Sequence, residues 1–319
     1  MPMTDVPTTR PAFIISFDCE GNWGMMDHLE EHGRLSSAAL VATYERLLAL
    51  LDRHRVKATF AFVGAFTMSE DEARANLPLF TKVGPRARRW LAPFMADLQS
   101  RRTDGWFAPA AAAAVKRSGP HEFGCHGFSH LPLIEGELGL QDFDLELASV
   151  RKTAAFTGEN DLTLVYPRNQ IGFSRELARH GFVGYRDTLA VLKHQRSPRW
   201  RHLFDEINPF PASQEHGGGD AAVARIPAGR MLNWRSGARG AIPIAWTARL
   251  WRKTIEDALR TGRIAHLWSH PHNFITGRDM FDLFDSVLKT AAPRIRAGEL
   301  WNPTMREYAL AQRRTAPPE

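Results

Sequence analysis

The sequence predicts an α/β fold, a β/α barrel of seven strands with an irregular outline. One observation behind this prediction is a series of short apolar runs rich in β-branched residues. Their apolar character is continuous rather than alternating, which is typical of parallel strands buried on both faces. The runs cover residues 12–18, 57–64, 121–126, 162–167, 182–187, 223–228 and 263–270.

The second observation is a set of amphipathic segments between these runs. Residues 36–55 start at a serine that suits a helix N-cap, and they carry one apolar stripe. Residues 109–119 open with proline and close with glycine, as helices commonly do, and residues 245–262 also end on glycine. Strands that alternate with helices in this way predict parallel β/α units.

The connection over residues 65–108 is long and carries helical patterns of its own. We therefore predict an insertion there that caps a site. Residues 213–222 are expected to form a flexible loop, and neither segment imposes a domain boundary. The expectation is a single domain over residues 1–319, with its motifs between about 12 and 275 and helices over 276–319.

Composition argues against several classes of protein. The chain has 319 residues, 44% of them hydrophobic and 24% charged, which allows a large core and is not typical of disorder. The opening residues lack the regions of a secretory signal, and no stretch approaches the ~18 apolar residues of a membrane span. A cytoplasmic protein without a transmembrane segment is expected. Cys19 and Cys125 are too few for a disulfide framework and are expected to be buried free thiols.

The net charge is +6 and the sequence pI is about 9.6. No nucleic-acid-binding signature accompanies the basic residues, so no nucleic-acid partner is predicted. A basic surface suits an anionic substrate such as a phosphate-linked sugar, but a solvated basic face is the simpler explanation of the charge.

Polar residues stand at the carboxyl ends of several predicted strands. Asp18 ends the first strand, His126 the third and His270 the last, and Arg168 follows the fourth. In β/α barrels this rim carries the active site. Four separate stretches of sequence therefore converge on one place.

The spacing of two histidines predicts a metal site at that rim. His126 and His130 are four residues apart, which lets two imidazoles share one metal ion. Asp18 and Glu20 are the candidates for a third ligand. Their side chains should point to the same side of the strand, while that of Cys19 points away. One carboxylate then binds metal and the other accepts a proton. The alternative is that Asp18 only caps the following loop.

Five motifs, in this order, resemble the signatures of the polysaccharide deacetylase family, also called the NodB-homology or carbohydrate esterase 4 superfamily. The resemblance covers roughly residues 12 to 275, and its most specific parts are the first strand and the H-x3-H element. The motifs are SFDCEG, ATFAFVG, HEFGCHGFSH, LVYPRNQIG and HLWSHPHNF.

The resemblance implies a distorted (β/α)7 barrel and a divalent metal ion, usually zinc. It also implies hydrolysis of N-acetyl or O-acetyl groups on sugars. The family's first motif has adjacent aspartates, whereas this chain has Cys19 in the second place, as in D-x-E variants. We assign Asp18 as base and Glu20, with His126 and His130, as metal ligand; exchanged roles for the two carboxylates remain an alternative.

The remaining roles follow from the same resemblance. Arg168, displaced from the family's usual arginine position, is expected to orient Asp18 or to contact substrate, with Arg186 and Asp187 as other partners for the acid. His270 is expected to protonate the leaving amine, with His266 and His272 as competitors. Three residues are expected to contact the substrate. For the two tryptophans among them, core packing is the alternative. For the tyrosine, the backbone N–H that follows it is expected to donate to the oxyanion. The three residues are Trp23, Tyr166 and Trp268.

The sequence therefore predicts a metal-dependent deacetylase for an N-acetylated sugar, one linked to a nucleotide or a lipid during surface-polysaccharide synthesis. Two other enzyme activities use the same site: a deformylase and an allantoinase-like amidohydrolase. A non-catalytic glycan-binding protein on the same fold is the third class.

Overall fold

In the part of the chain that the structure describes, a curled sheet of nine strands forms the framework, in the order β6-β7-β5-β4-β3-β2-β1-β9-β8. The structure is a computed structural model that describes residues 10–27, 35–188, 214–215, 219–220 and 222–315. The strands are β1 (Ala12–Cys19), β2 (Thr59–Phe62), β3 (Glu122–Cys125), β4 (Leu162–Leu164), β5 (Phe182–Arg186), β6 (Gly219–Asp220), β7 (Val223–Ile226), β8 (Arg230–Met231) and β9 (Ile264–Ser269).

Neighbouring strands run parallel, except that β6 pairs with β7 in the antiparallel sense. The eight parallel strands form a curled half-barrel, so the predicted distorted β/α barrel is confirmed. All seven predicted strands are present. The two short strands β6 and β8 were not predicted, since two residues leave no readable periodicity.

Helices follow most of the strands along the chain. They are α1 (Ser37–His54), α2 (Glu70–Ala75), α3 (Pro78–Thr81), α4 (Pro85–Gln99), α5 (Pro109–Arg117), α6 (Leu140–Arg151), α7 (Ile244–Thr261), α8 (Asn273–Thr276), α9 (Met280–Arg296) and α10 (Met305–Thr315). The predicted helices over 36–55, 109–119 and 245–262 correspond to α1, α5 and α7. The predicted insertion over 65–108 is helical and contains α2, α3 and α4.

Side chains of β1 show why both faces of the sheet are apolar. Phe13, Ile15 and Phe17 join the large core cluster that includes the helices α1 and α9, whereas Ala12 and Ile14 point into the concave side. Every residue of the strand is buried. Continuous apolar runs are the direct consequence of this double burial.

The last helix, α10, fills part of the concave side. Tyr308 and Ala309 pack there with residues of β1, β5 and β7. A Cβ on Gly184 of β5 would lie 2.8 Å from the Ala309 Cβ, so the close approach of α10 requires glycine. At the start of the helix, the Arg306 N–H donates to the buried Glu122 carboxylate (2.8 Å). Since Glu122 opens β3, α10 occupies the amino end of the strands and leaves the carboxyl end for a site.

Three further expectations concern the cysteines, a loop and membrane-spanning segments. Cys19 and Cys125 are buried free thiols, as predicted. The predicted loop over 213–222 lies partly outside the described residues. Among the helices that the structure describes, none is both long and apolar enough to cross a membrane.

Candidate metal centre

The two carboxylates predicted at the end of β1 lie together on the concave side. Asp18 is 2% exposed and Glu20 is 4% exposed, while Cys19 lies in the core on the opposite face. The chain turns immediately afterwards at Gly21, whose φ of 52° favours glycine. A Cβ on Gly21 would lie 2.6 Å from the Gly105 carbonyl oxygen, so this turn tolerates no larger residue.

The Glu20 carboxylate meets both histidines of the H-x3-H element. Its Oε2 lies 3.1 Å from His126 Nε2 and 2.9 Å from His130 Nε2. His126 Nδ1 lies 2.8 Å from the Val165 carbonyl oxygen, which can only accept, so Nδ1 carries a hydrogen. In neutral His126 the Nε2 lone pair then faces a carboxylate oxygen. Two acceptors at this distance require a proton or a cation between them.

A loop, and not a helix, brings the two histidines together. Residues 126–130 follow β3 without helical structure, and His130 has a left-handed φ of 57°. Glu146 of α6 holds the loop by accepting from the Phe128 N–H (2.9 Å), the Ser129 N–H (2.6 Å) and the Ser129 hydroxyl (2.8 Å). These bonds stabilise a backbone conformation that is costly for histidine.

Part of the insertion supports the same loop from the solvent side. The indole N–H of Trp90, in α4, donates to the Ser129 carbonyl oxygen (3.0 Å), and the Trp90 ring lies 6.3 Å from the His130 ring. The predicted insertion therefore borders the predicted metal site.

Two more histidines approach Glu20 from the end of β9. His270 Nε2 lies 3.4 Å from Glu20 Oε1 and 4.0 Å from Asp18 Oδ2, and 22% of its side chain is exposed. His272 Nδ1 lies 4.0 Å from Glu20 Oε1. The third candidate, His266, is enclosed in the barrel, with Nε2 2.9 Å from the Ser16 hydroxyl and Nδ1 2.6 Å from the Pro227 carbonyl. His266 is therefore a core imidazole.

Arg186 is the partner of Asp18. Its two terminal nitrogens each donate to one Asp18 oxygen at 2.7 Å, and both side chains are almost completely buried. Burial is the largest single influence and raises the pKa of Asp18, but the Arg186 guanidinium and the neighbouring histidines together lower this pKa by more, so it lies below its usual range. Asp18 is thus held as a carboxylate.

Arg168 does not orient Asp18 as expected, whereas its other expected role, contact with the substrate, stays a prediction. Arg168 pairs with Asp27 and stacks over Trp90, with 5.8 Å between its guanidinium carbon and the ring centre. The reason is local: Arg168 follows β4 in a left-handed turn with a φ of 58°, which directs it away from the concave side. The alternative partner named from the sequence, Arg186, ends β5 and points inward.

Two of the three predicted substrate contacts are also corrected. Trp23 is fully buried, and its indole N–H donates to the Trp106 carbonyl oxygen (2.8 Å). Tyr166 is 1% exposed and belongs to the large core cluster on the convex side. Neither side chain has a surface for a sugar. The residue after Tyr166 is Pro167, which has no N–H, so the first backbone donor beyond it is that of Arg168.

Trp268 does lie at the site. It is partly exposed, its ring is 5.6 Å from the His270 ring, and the Arg186 guanidinium carbon lies 4.6 Å from its centre. Glu146 was missed by sequence reasoning, because a glutamate within an amphipathic helix carries no signal that distinguishes a buried acceptor from a solvated charge.

Comparison with known proteins gives a family match over part of the sequence and several solved structures with a similar fold. A sequence model of the polysaccharide deacetylase family matches residues 27–171, a range that contains His126 and His130 but not Asp18 or Glu20. No curated protein matches the chain.

Three solved structures share the fold over nearly the whole chain. A Mycobacterium smegmatis protein assigned to the polysaccharide deacetylases has 16% identity and a TM-score of 0.59, with 98% of this chain and 96% of that chain covered. A Pseudomonas aeruginosa PAO1 protein with the same assignment has 14% identity and a TM-score of 0.56, covering 98% and 94%. PuuE allantoinase has 12% identity and a TM-score of 0.55, also covering 98% and 94%.

Proposed function

We propose that the chain is a member of the polysaccharide deacetylase family, whose sequence model matches residues 27–171, and that it is a metal-dependent hydrolase that removes an N-acetyl group from a sugar. The observation that carries the proposal is the convergence of Glu20, His126 and His130 beside an ionised Asp18. One catalytic domain over residues 1–319 is part of the same proposal.

The residues present fit a divalent cation. Glu20 Oε2, His126 Nε2 and His130 Nε2 face one another, and the His126 tautomer is fixed by a carbonyl, as is usual for metal-binding imidazoles. One carboxylate and two imidazoles with positions left open suit catalytic zinc. A bound cation would supply Lewis acidity, which would polarise a carbonyl and lower the pKa of a water molecule toward neutrality.

Asp18 acts as the general base in this proposal. Arg186 keeps it ionised and fixes its orientation through both oxygens. A carboxylate has about four lone-pair sites, so the two bonds to Arg186 leave capacity to accept a proton from the attacking water. The exchanged assignment is less well supported, because Asp18 is committed to Arg186 and Glu20 to the histidines.

His270 acts as the general acid. The Asn273 side-chain nitrogen donates to His270 Nδ1 at 3.4 Å, which leaves the hydrogen of the neutral ring on Nε2. This atom faces Glu20 and Asp18, and 22% of the side chain is exposed; when the ring takes up a second proton, the resulting imidazolium can give the Nε2 proton to a leaving amine and return to the neutral form. His270 Nε2 lies closer to Glu20 Oε1 (3.4 Å) than His272 Nδ1 does (4.0 Å), which favours His270 over His272 as the acid, and His266 is engaged by Ser16 and Pro227.

The finer part of the proposal concerns the substrate. Trp268 offers a partly exposed ring beside His270 that suits the apolar face of a sugar. The net charge of +6 suits a substrate that carries phosphate. We propose that the substrate is a nucleotide- or lipid-linked sugar made in the cytoplasm during surface-polysaccharide synthesis.

Metal content and amine release test the proposal together. The purified protein is reconstituted with zinc and assayed on N-acetyl and N-formyl sugar nucleotides, on chitooligosaccharides and on allantoin. We expect hydrolysis of an N-acetyl sugar, loss of metal and activity in His126→Ala, and loss of activity with metal retained in Asp18→Asn.

The matched control is His180→Ala, because His180 is a partly buried histidine that pairs with Asp144 away from the site. It should retain both metal and activity. Failure of the wild-type protein to bind metal would overturn the proposal, and so would activity retained in Asp18→Asn. Hydrolysis of allantoin or an N-formyl sugar alone would reassign the substrate, whereas glycan binding without hydrolysis would indicate a non-catalytic protein.

A further inference from the structure

Glu20 presents each of its two carboxylate oxygens to a different pair of histidines. Oε2 faces the pair from the loop after β3, and Oε1 faces His270 and His272 after β9. We propose that Glu20, His270 and His272 form a second, weaker site for a divalent cation, whose occupation inhibits the hydrolase.

His272 has a ring nitrogen whose hydrogen-bonding capacity is not satisfied. Its side chain is about nine-tenths buried, and its Nδ1 has no hydrogen-bond partner among the residues that the structure describes. It stacks on His270 with 5.0 Å between ring centres and 30° between planes, so both rings are presented side by side to Glu20. A buried imidazole nitrogen without a partner is costly, and a cation at this point would satisfy it.

The ligand distances distinguish the two sites. Metal–ligand bonds of ~2.0–2.1 Å in a tetrahedral site place ligand atoms roughly 3.3 Å apart. His126 and His130 lie at 3.1 and 2.9 Å from Oε2, whereas His270 and His272 lie at 3.4 and 4.0 Å from Oε1. The second set must contract to close around a cation, which makes it the weaker site. A carboxylate that bridges two cations about 3.5–4 Å apart is a common arrangement in two-metal proteins.

Occupation of the second site would remove the general acid. Ligation through His270 Nε2 requires the ring hydrogen to move to Nδ1, where a turned Asn273 amide would offer its oxygen as acceptor. His270 could then no longer donate to a leaving amine. This inhibitory consequence rests on the proposed function, whereas the binding itself rests only on the geometry around Glu20.

Zinc stoichiometry tests the site without reference to activity. Metal-free protein is titrated with zinc by calorimetry and by equilibrium dialysis. We expect two equivalents with different affinities for the wild type, and one for His272→Ala and for His272→Gln, with the tighter affinity unchanged within about threefold. The control His54→Ala, which removes a histidine paired with Asp285 elsewhere, should keep two equivalents.

Activity measured across the same zinc titration provides the second readout. Wild-type activity should rise with the first equivalent and fall at least tenfold with the second, while both His272 variants keep basal activity and resist the excess. A single equivalent in the wild type, or two in folded His272 variants, overturns the proposal. Two equivalents that fall to one in the variants, with no hydrolysis of any substrate, would refute the proposed function and leave the second site standing.

Discussion

Replacement of Arg186 by methionine should show how strongly the protein depends on the Asp18–Arg186 pair. Both side chains are at most 3% exposed, and two hydrogen bonds of 2.7 Å join them. Methionine keeps much of the length of the side chain but leaves the Asp18 carboxylate buried without its counter-charge.

The expected cost is about 3–5 kcal/mol in the free energy of unfolding, the usual effect of removing one partner of a buried ion pair. Asp18→Asn alone should also destabilise, because it leaves the guanidinium uncompensated. The double variant should be more stable than the sum of the two single effects predicts, by roughly 2 kcal/mol, since neither charge is then left unpaired.

Urea unfolding in the presence of a chelator, followed by tryptophan fluorescence, measures these values without a contribution from bound metal. Arg225→Met is the matched control, because Arg225 is 47% exposed and pairs with Asp187 on the surface; its cost should stay below about 1 kcal/mol. A loss below about 1 kcal/mol for Arg186→Met, or additive effects in the double variant, would refute the reasoning.

Three further variants test the surroundings of the site. Glu146→Ala should cost about 3 kcal/mol and weaken zinc binding roughly tenfold or more, because three donors lose their acceptor; Ser129→Ala should have the smaller effect of one lost bond. Trp268→Ala should raise KM about tenfold with little change in Tm, as expected for one aromatic contact. Tyr308→Ala should lower stability by about 3 kcal/mol and leave zinc stoichiometry unchanged, since it packs at the opposite end of the barrel. Calorimetry, thermal melts and steady-state kinetics distinguish these outcomes, and a change of zinc stoichiometry in Tyr308→Ala would contradict the separation of core and site.

The fold was accessible from sequence wherever burial imposed a pattern. Strands such as β1 are apolar on both faces, and helices such as α1 carry one apolar stripe, so each left a readable period. The position of α10 left no such signal. Its packing inside the concave face depends on contacts between residues as distant as Gly184 and Ala309, which no local pattern encodes.

The same division applies to the site. Order along β1 decided that Asp18 and Glu20 share a side while Cys19 faces away, because successive side chains of a strand alternate. Order along the chain also set the H-x3-H spacing. The sequence by itself thus determined which residue types could hold a metal ion and at which end of the barrel they would stand.

Only the tertiary structure decided the partners. In the folded chain, Asp18 pairs with Arg186 rather than with Arg168. Trp23 and Tyr166 are buried in the core, and both carboxylate oxygens of Glu20 face histidines. The curl of the sheet brings the ends of β1, β3, β5 and β9 together, and Arg168 follows β4 in a left-handed turn and pairs with Asp27 instead. Distances across a barrel are set by the packing of distant segments, whereas periodicity reports only the environment of each segment on its own.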